Sequence, residues 1–197
     1  SSSGELTFWI IDALGAPVSP RMAEWLYAAM SADTCSFRFL RGSSHTLRVA
    51  AGLVELGADP ERVQRLLFQS ASRDSIELFA RALSSARFEL EGRFLLVVVD
   101  VVMRRGLYVD REDYRDLIQR MISTTGVQVA ALVTLPAEQG PRGIRLSLRA
   151  QEGVNVEPVA RSFGGGGHAR ACGAYIADGV TGEFVPELIA RVKAALS

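Results

Sequence analysis

The stretch Phe163-Gly164-Gly165-Gly166-Gly167-His168 carries the strongest local signal in the sequence, four consecutive glycines before a histidine. It separates a predicted short helix, residues 156–162, from a predicted strand, residues 171–177. Glycine adopts backbone angles that other residues avoid, and successive N–H groups in such a loop can bind phosphate oxygens. A flexible linker is the alternative, but the run lacks serine and its neighbours have ordered patterns. We predict a phosphate-binding loop to which His168 adds one hydrogen bond.

A strand of alternating character precedes this run. Its apolar and polar side chains take turns along the sequence: Ile144, Arg145, Leu146, Ser147, Leu148 and Arg149. Such alternation predicts a half-buried strand with the two arginines and the serine on one face. Arg149, facing the glycine run, could bind a phosphate through two hydrogen bonds. A solvated strand face is the alternative, and the local sequence by itself favours it.

The rest of the chain divides into a helical first part and a second part of strands and helices. Helix patterns in the first part cover residues 4–15, 20–32, 44–56, 61–69 and 72–85. The second part begins with a hairpin, residues 87–100, that turns at Glu91-Gly92. It continues with helix 110–123, strands 127–135 and 144–149 and, after the glycine run, helix 182–196. We therefore predict an α/β fold with two units, residues 1–85 and 86–197, the second in the order β-β-α-β-β-α-β-α.

The amino-acid composition argues against several functional classes of protein. The 22 basic and 22 acidic residues balance, which argues against a general nucleic-acid coat but allows a local phosphate site. Cys35 and Cys172 belong to no Cys/His cluster, so we expect reduced thiols and neither a disulfide framework nor a zinc site. No apolar run reaches the roughly 20 residues that span a membrane, and no signal peptide is visible. The expected location is the cytoplasm.

The first part contains two further candidate functional residues. Asp33 follows an apolar helix, where a carboxylate could bind a divalent cation or could cap the following turn. Local sequence favours the cap. His45 lies in a polar segment at a helix start and is interpreted as a surface histidine. No pattern indicates a serine hydrolase, a zinc protease or an EF-hand.

Several blocks together resemble one enzyme family, the DHH/DHHA1 phosphoesterases, and especially their nanoRNase and pAp-phosphatase branch. The residues Gly-Gly-Gly-His-Ala-Arg-Ala-Cys-Gly at 165–173 resemble the family signature GGGHxxAAG, from which only Cys172 departs. The block 26–39 resembles the family's LYTGIxTDTGxFRF, with Cys35 standing where glycine is usual. Further similar blocks lie at residues 1–6, 55–60, 146–150 and 154–156. The resemblance thus extends along essentially the whole chain.

The resemblance implies that residues 1–85 are the helical C-terminal portion of a DHH domain and that residues 86–197 are a DHHA1 substrate-binding domain with a mixed β-sheet. By position, Asp33 matches a ligand of the family's two-metal centre, usually Mn²⁺. The substrate-binding positions are matched by Arg149, Gly165, Gly166, Gly167 and His168. The family's DxD and DHH motifs do not occur in this sequence. We therefore expect residues 1–197 alone to be inactive, and no catalytic residue is identified beyond the metal ligand.

The resemblance implies part of a metal-dependent phosphodiesterase or phosphatase. Its expected substrates are short oligonucleotides (nanoRNA) or 3′-phosphoadenosine 5′-phosphate (pAp). The alternatives are a cyclic-di-AMP or pApA phosphodiesterase, a nucleotide-binding module without catalysis, and a structural α/β domain whose glycines form a tight turn. The resemblance also implies a homodimer of the full-length protein, without membrane attachment.

Overall fold

The structure, a computed structural model, describes residues 2–38, 40, 44–69, 71–136, 143–177 and 181–197, with the side chains of residues 111, 112 and 181 excepted. The chain forms two compact units that divide between Ala71 and Ser72. Phe39, part of the block that resembles the family, lies outside the described residues. None of the helices in these ranges has the length and apolar character needed to cross a membrane.

The first unit consists of helices α1 (Ser3–Ala13), α2 (Pro20–Asp33), α3 (His45–Glu55) and α4 (Pro60–Phe68). Local sequence explains where they begin. Ser19 and Asp59 each accept a hydrogen bond from a first-turn N–H, and each precedes a proline whose fixed φ suits the first helical position. Apolar side chains from three helices, among them Met30, Leu53 and Val63, form the core. These predictions of helix position are confirmed to within a few residues.

His45 is exposed at the start of α3, where its ring lies 5.2 Å from the ring of Trp9 between centroids. The interpretation as a surface histidine is confirmed.

The second unit is a mixed sheet with helices. In chain order its elements are α5 (Arg73–Ser84), β1 (Arg87–Glu89), β2 (Phe94–Val99), α6 (Arg111–Ile122), β3 (Val129–Thr134), β4 (Ile144–Ala150), α7 (Glu157–Ser162), β5 (Gly166–His168), β6 (Ala171–Ile176) and α8 (Thr181–Ala195). The strands lie in the order β1-β2-β3-β4-β6-β5, with β2 and β3 parallel and the other neighbours antiparallel. The predicted α/β fold with a mixed sheet is confirmed.

Helix α5 places the boundary between the units earlier than residue 85. Its side chains Leu78 and Ala82 are fully buried in the same cluster as Leu95 and Val97 of β2. Burial of this apolar surface against the sheet makes α5 part of the second unit. The sequence showed a helical period in α5 but could not show which unit its apolar face covers.

The glycine run is only partly a loop. Gly166–His168 form β5, which pairs with β6 at the edge of the sheet, so the strand order of the second unit contains one strand more than predicted. Glycine is depleted in strands, and a three-residue glycine-rich strand therefore leaves no pattern in the sequence. Pairing with β6, rather than local propensity, makes this segment extended.

The two faces of the sheet differ in what covers them. Helices α7 and α8 cover one face, where the apolar side chains of β2, β3, β4 and β6 form a continuous core. On the other face, α5 and α6 pack on β2 and β3, with Val97, Ala130 and Leu132 in a second core. On this second face α6 also contacts β4, and β6 and β5 follow β4 in the sheet. We refer to the face of β4, β6 and β5 that carries Arg149 as the open face.

Candidate functional site

The strand register brings the predicted substrate-binding residues onto the open face. Arg149 of β4 pairs with Ala171 of β6, and Ala171 pairs with His168 of β5. Directly opposed residues in antiparallel strands project to the same side, so Arg149 and His168 share the open face at a distance of about two strand spacings, roughly 10 Å. A neighbouring row joins Ser147 and Gly166 in the same way, through Gly173 of β6.

The glycines of this region fall into two groups, according to the space around each Cα. A Cβ at Gly165 would lie 2.1 Å from the carbonyl oxygen of Gly173, and one at Gly167 would lie 2.7 Å from the Cα of Cys172. A Cβ at Gly173 would lie 2.5 Å from the carbonyl oxygen of Leu146. These three glycines are required by close backbone approach. Gly166 differs, since a Cβ there would have no atom within 4 Å and the space above it is open.

The predicted series of free N–H groups does not form at the start of the glycine run. The N–H of Gly164 donates to the carbonyl oxygen of Arg161 at 2.9 Å, and the N–H of Gly165 donates to that of Ala160 at 2.9 Å. Both bonds close the C-terminal end of α7, which is a common use of glycine after a helix. The accessible part of the run therefore lies at Gly166 and His168 rather than in a loop of main-chain donors.

A cleft of about 510 Å³ adjoins the open face, between α6 and β4. Its volume lies within the range of small-molecule sites. Arg145, Ser147 and Arg149 form its floor, and Asp110 contributes an acidic side chain. Positive charge and aromatic rings dominate the polar lining: Arg104, Tyr114, Arg115, Arg145, Arg149 and Tyr175. This combination suits a ligand that carries both phosphate groups and planar bases.

Arg104 and Tyr114 form a fixed wall of the cleft. The Arg104 guanidinium donates to the carbonyl oxygens of Asp100, Leu135 and Pro136, at 3.1, 2.6 and 3.1 Å. Burial raises the pKa of Tyr114, although the charge and hydrogen bond of Arg104 oppose that rise. Its hydroxyl is therefore neutral at physiological pH and can donate a hydrogen bond to an anion.

Cys172, the one departure from the family signature, is a buried neutral thiol. Burial raises its pKa to about 11, despite the opposing charge of Arg149. Its Sγ–H donates to the carbonyl oxygen of Val156 at 3.3 Å, on the helix-covered side of the sheet. A thiol with so high a pKa is a poor nucleophile, so Cys172 acts here as a small core residue.

Asp33 belongs to the first unit, where it is the exposed last residue of α2. The turn that follows is capped by its neighbour: the Thr34 hydroxyl donates to the carbonyl oxygen of Met30 at 2.7 Å and accepts from the N–H of Phe37 at 2.9 Å. The interpretation of Asp33 as the capping residue is therefore wrong. Thr34 takes that role through its hydroxyl, and the Asp33 carboxylate lies at the surface.

The backbone after Asp33 is unusual. Cys35, Ser36 and Phe37 have φ values of 49°, 61° and 61°. Each such residue costs about 1 kcal/mol or more when it is not glycine, so the surrounding structure must hold the turn. The side chain of Gln64 in α4 does so by donating to the hydroxyl oxygens of Ser31 and Ser36, at 3.2 and 2.7 Å. Strain concentrated beside an exposed carboxylate is typical of a functional position.

These residues do not complete a metal centre. In the described ranges, no group of three or more histidine, cysteine, aspartate and glutamate side chains could hold a metal ion. Asp33 can offer one ligand, whereas a two-metal hydrolytic site needs several carboxylates and imidazoles. The described residues thus do not fit the two-metal centre by themselves.

Part of the cleft lining was not predicted from the sequence. The alternation in β4 revealed the face that carries Arg145 and Arg149, and the same alternation in the predicted strand 171–177 could have added Tyr175. Arg104 and Tyr114 gave no comparable signal, because they lie before and within α6 and reach the cleft only when α6 packs beside β4.

Comparison with known proteins agrees with this geometry. Residues 94–197 match the family described as the DHHA1 domain, from the first residue of β2 to the end of the chain. The bifunctional oligoribonuclease and PAP phosphatase NrnA of Thermus thermophilus is 30% identical over 85% of this chain and 48% of its own length. The cyclic-di-AMP phosphodiesterase GdpP of Geobacillus thermodenitrificans is 26% identical over 95% of this chain and 27% of its own length.

A solved structure shows the same fold. An exopolyphosphatase-related protein from Bacteroides fragilis superposes with a TM-score of 0.84 at 22% identity, covering 100% of this chain and 56% of that protein. The chain spans about half the length of the NrnA relative that it matches. It belongs to the DHH/DHHA1 phosphoesterase family, on the NrnA branch, with its DHHA1 domain at residues 94–197.

Proposed function

We propose that this chain is the substrate-holding part of a Mn²⁺-dependent phosphodiesterase or phosphatase that acts on short oligonucleotides or pAp. The observation that carries the proposal is the open face, where Arg149, Ser147, Gly166 and His168 lie in two adjacent cross-strand rows. The Thermus relative is named for action on oligoribonucleotides and PAP, which supports this substrate class.

Each residue of the open face has a distinct task in this proposal. Arg149 binds a terminal phosphate through its guanidinium, and charge-assisted bonds of this kind are the stronger ones. His168, exposed on the edge strand, donates a further hydrogen bond. Gly166 leaves the space above β5 empty, so the phosphate can approach the strand without a steric barrier. Together these groups hold the non-reacting end of the nucleotide and thereby position the scissile bond.

Asp33 is proposed as one ligand from this chain to the metal centre. Two divalent ions in such a centre would activate water and stabilise the attacking and leaving oxygens. Because the described residues provide no cluster of further ligands, we propose that residues 1–197 bind nucleotide but do not hydrolyse it. The homodimer and the cytoplasmic location stay predictions.

The test is calorimetric titration of pApA into the 197-residue chain, with and without Mn²⁺. We expect binding that does not depend on Mn²⁺ and that His168→Ala weakens about tenfold, the effect of losing one hydrogen bond to a charged group. Gly166→Val should weaken binding more than about tenfold, since its side chain occupies the space of the phosphate. Arg120→Ala, an exposed arginine of α6 outside the cleft lining, is the matched control for charge.

The absence of pApA binding by the wild-type chain, or equal binding by all variants, would contradict the proposal. Robust hydrolysis of pApA by this chain with Mn²⁺ would contradict the expected inactivity.

The cyclic-di-AMP alternative rests on the Geobacillus relative and differs in its ligand. The same titration with pAp, pApA and cyclic-di-AMP separates the two. A linear ligand with a terminal phosphate should bind more tightly than the cyclic one if Arg149 and His168 hold a phosphate end. Tighter binding of cyclic-di-AMP would favour the alternative.

A further inference from the structure

The cleft continues well beyond the reach of Arg149. Arg145 lies on the same face of β4, four residues earlier, and both arginines line the cleft. At strand geometry this separation is roughly 13 Å between Cα atoms. A single phosphate bound by Arg149 and His168 therefore leaves the Arg145 end of the cleft free for another part of the ligand.

Arg145 has no anionic partner in the described ranges. Its side chain is exposed, and among the described residues it forms neither an ion pair nor a hydrogen bond. Arg104, by contrast, uses its guanidinium on three backbone carbonyl oxygens. Arg145 and Tyr114 both line the cleft; burial raises the pKa of the Tyr114 hydroxyl, and the charge of Arg145 is one of the influences that lower it. An exposed arginine in a concave site, with a neutral hydroxyl in the same lining and no ion pair among the described residues, is well placed to bind an external anion.

Two tyrosines line the cleft together with this guanidinium. Tyr114 lies beside Arg104; burial raises the pKa of the Tyr114 hydroxyl, and the charge and hydrogen bonding of Arg104 lower it against that effect. Tyr175 is the cross-strand partner of Arg145, and its hydroxyl oxygen accepts from the N–H of Gly143 at 3.1 Å. Half of the surface of Tyr175 remains exposed, at 50%, so one ring face is available to a ligand. Exposed aromatic faces beside cationic groups are the usual platform for bases of single-stranded nucleic acid.

We infer that Tyr114, Arg145 and Tyr175 form a second anion subsite, which binds a further phosphate of the same oligonucleotide while the Tyr175 ring stacks on the adjoining base. The inference rests on the proposed function and deepens it, since it predicts that ligands longer than one nucleotide use both arginines. A polyphosphate chain could also bind both arginines, but it has no base that could stack on the ring of Tyr175.

The test is a length series, pAp, pApA and pApApA, titrated into the wild-type chain and into Arg145→Ala, with Arg120→Ala as the charge-matched control. We expect Arg145→Ala to weaken pApApA about tenfold, from loss of one charge-assisted contact, and to change pAp less than about twofold. The slope of log Kd against log salt for pApApA should also fall by about 0.7, the contribution of one phosphate contact on a single strand. Thermal denaturation of each variant confirms that the surface substitution leaves the fold intact.

A second experiment tests whether a base stacks on the ring of Tyr175. Tyr175→Leu should weaken pApApA several-fold, in line with stacking contributions of about 1–3 kcal/mol per base. It should leave the binding of tripolyphosphate unchanged.

The outcomes are distinct. If the wild-type chain binds the series and Arg145→Ala weakens pAp and pApApA equally, or weakens neither, the second subsite is wrong and the proposed function stands. If tripolyphosphate binds more tightly than pApApA with the same dependence on Arg145, the nucleotide assignment of the subsite is wrong. If the wild-type chain binds no nucleotide of the series, the proposed function and the subsite both fail.

Discussion

The turn after α2 and the β5–β6 hairpin are two places where glycine would suit the backbone, yet only the hairpin contains it. In the turn, Cys35, Ser36 and Phe37 adopt left-handed angles of 49–61° as ordinary L-residues. In the hairpin, Cβ atoms at Gly165 and Gly167 would lie 2.1 and 2.7 Å from neighbouring backbone atoms. A left-handed residue costs about 1–2 kcal/mol, which hydrogen bonds such as those from Gln64 can offset. A Cβ overlapping main chain can be accommodated only by moving the strand.

The largest effect is expected at Gly165. Gly165→Ala should lower the free energy of unfolding by about 3 kcal/mol, because the new methyl group collides with the backbone of Gly173 and Ala174. Gly166→Ala is the matched control and should change stability by less than about 0.5 kcal/mol, since its methyl group meets open space. Urea unfolding of the two variants measures both values. Equal destabilisation at the two positions would show that close backbone approach does not explain the glycines.

An intermediate effect is expected at Thr34. Thr34→Val keeps the shape of the side chain but removes the hydroxyl that bonds Met30 and Phe37, and it leaves the N–H of Phe37 without that acceptor. We expect a loss of about 2 kcal/mol in the free energy of unfolding of the first unit. Thr34→Ser retains the hydroxyl and should lose less than half as much. A stable Thr34→Val variant would mean that contacts other than this hydroxyl hold the left-handed turn.

The smallest effect is expected at Cys35, and it has the opposite sign. Cys35→Gly relieves a left-handed L-residue at φ 49°, although glycine also gains conformational entropy in the unfolded chain. The balance is a gain of about 0.5 kcal/mol in the free energy of unfolding. Cys35→Val should instead lose more than about 1 kcal/mol, since a β-branched residue resists this conformation most. The paired denaturation curves would refute the strain argument if valine were tolerated as well as glycine.

Much of the fold followed from local patterns. The prolines after Ser19 and Asp59 marked helix starts, and the two-residue period of Ile144 to Arg149 identified a half-buried strand together with its polar face. The predicted hairpin turn at Glu91-Gly92 is also confirmed, with φ values of 61° and 84° there. These features are local because a cap, a proline or a period-two pattern acts within a few residues of chain.

The sequence-based predictions failed where contacts with a distant segment determine the local structure. β5 is a strand because β6 pairs with it, and α5 joins the second unit because Leu78 meets β2. Thr34 caps the turn in place of Asp33, because the folded backbone places the N–H of Phe37 within hydrogen-bond distance of the Thr34 hydroxyl oxygen. In each case the residue types allowed two outcomes, and contacts absent from the local sequence selected one.

The sequence by itself determined the family signature at residues 165–173, the face of β4 that carries Arg145 and Arg149, and the helical character of the first unit. Only the tertiary structure decided that Arg149 and His168 lie in one row and that Arg104 and Tyr114 close a cleft over Arg145. The physical reason is the range of the interactions involved. Periodicity and capping act between neighbours in the chain, whereas strand register and the packing of α6 beside β4 join residues tens of positions apart.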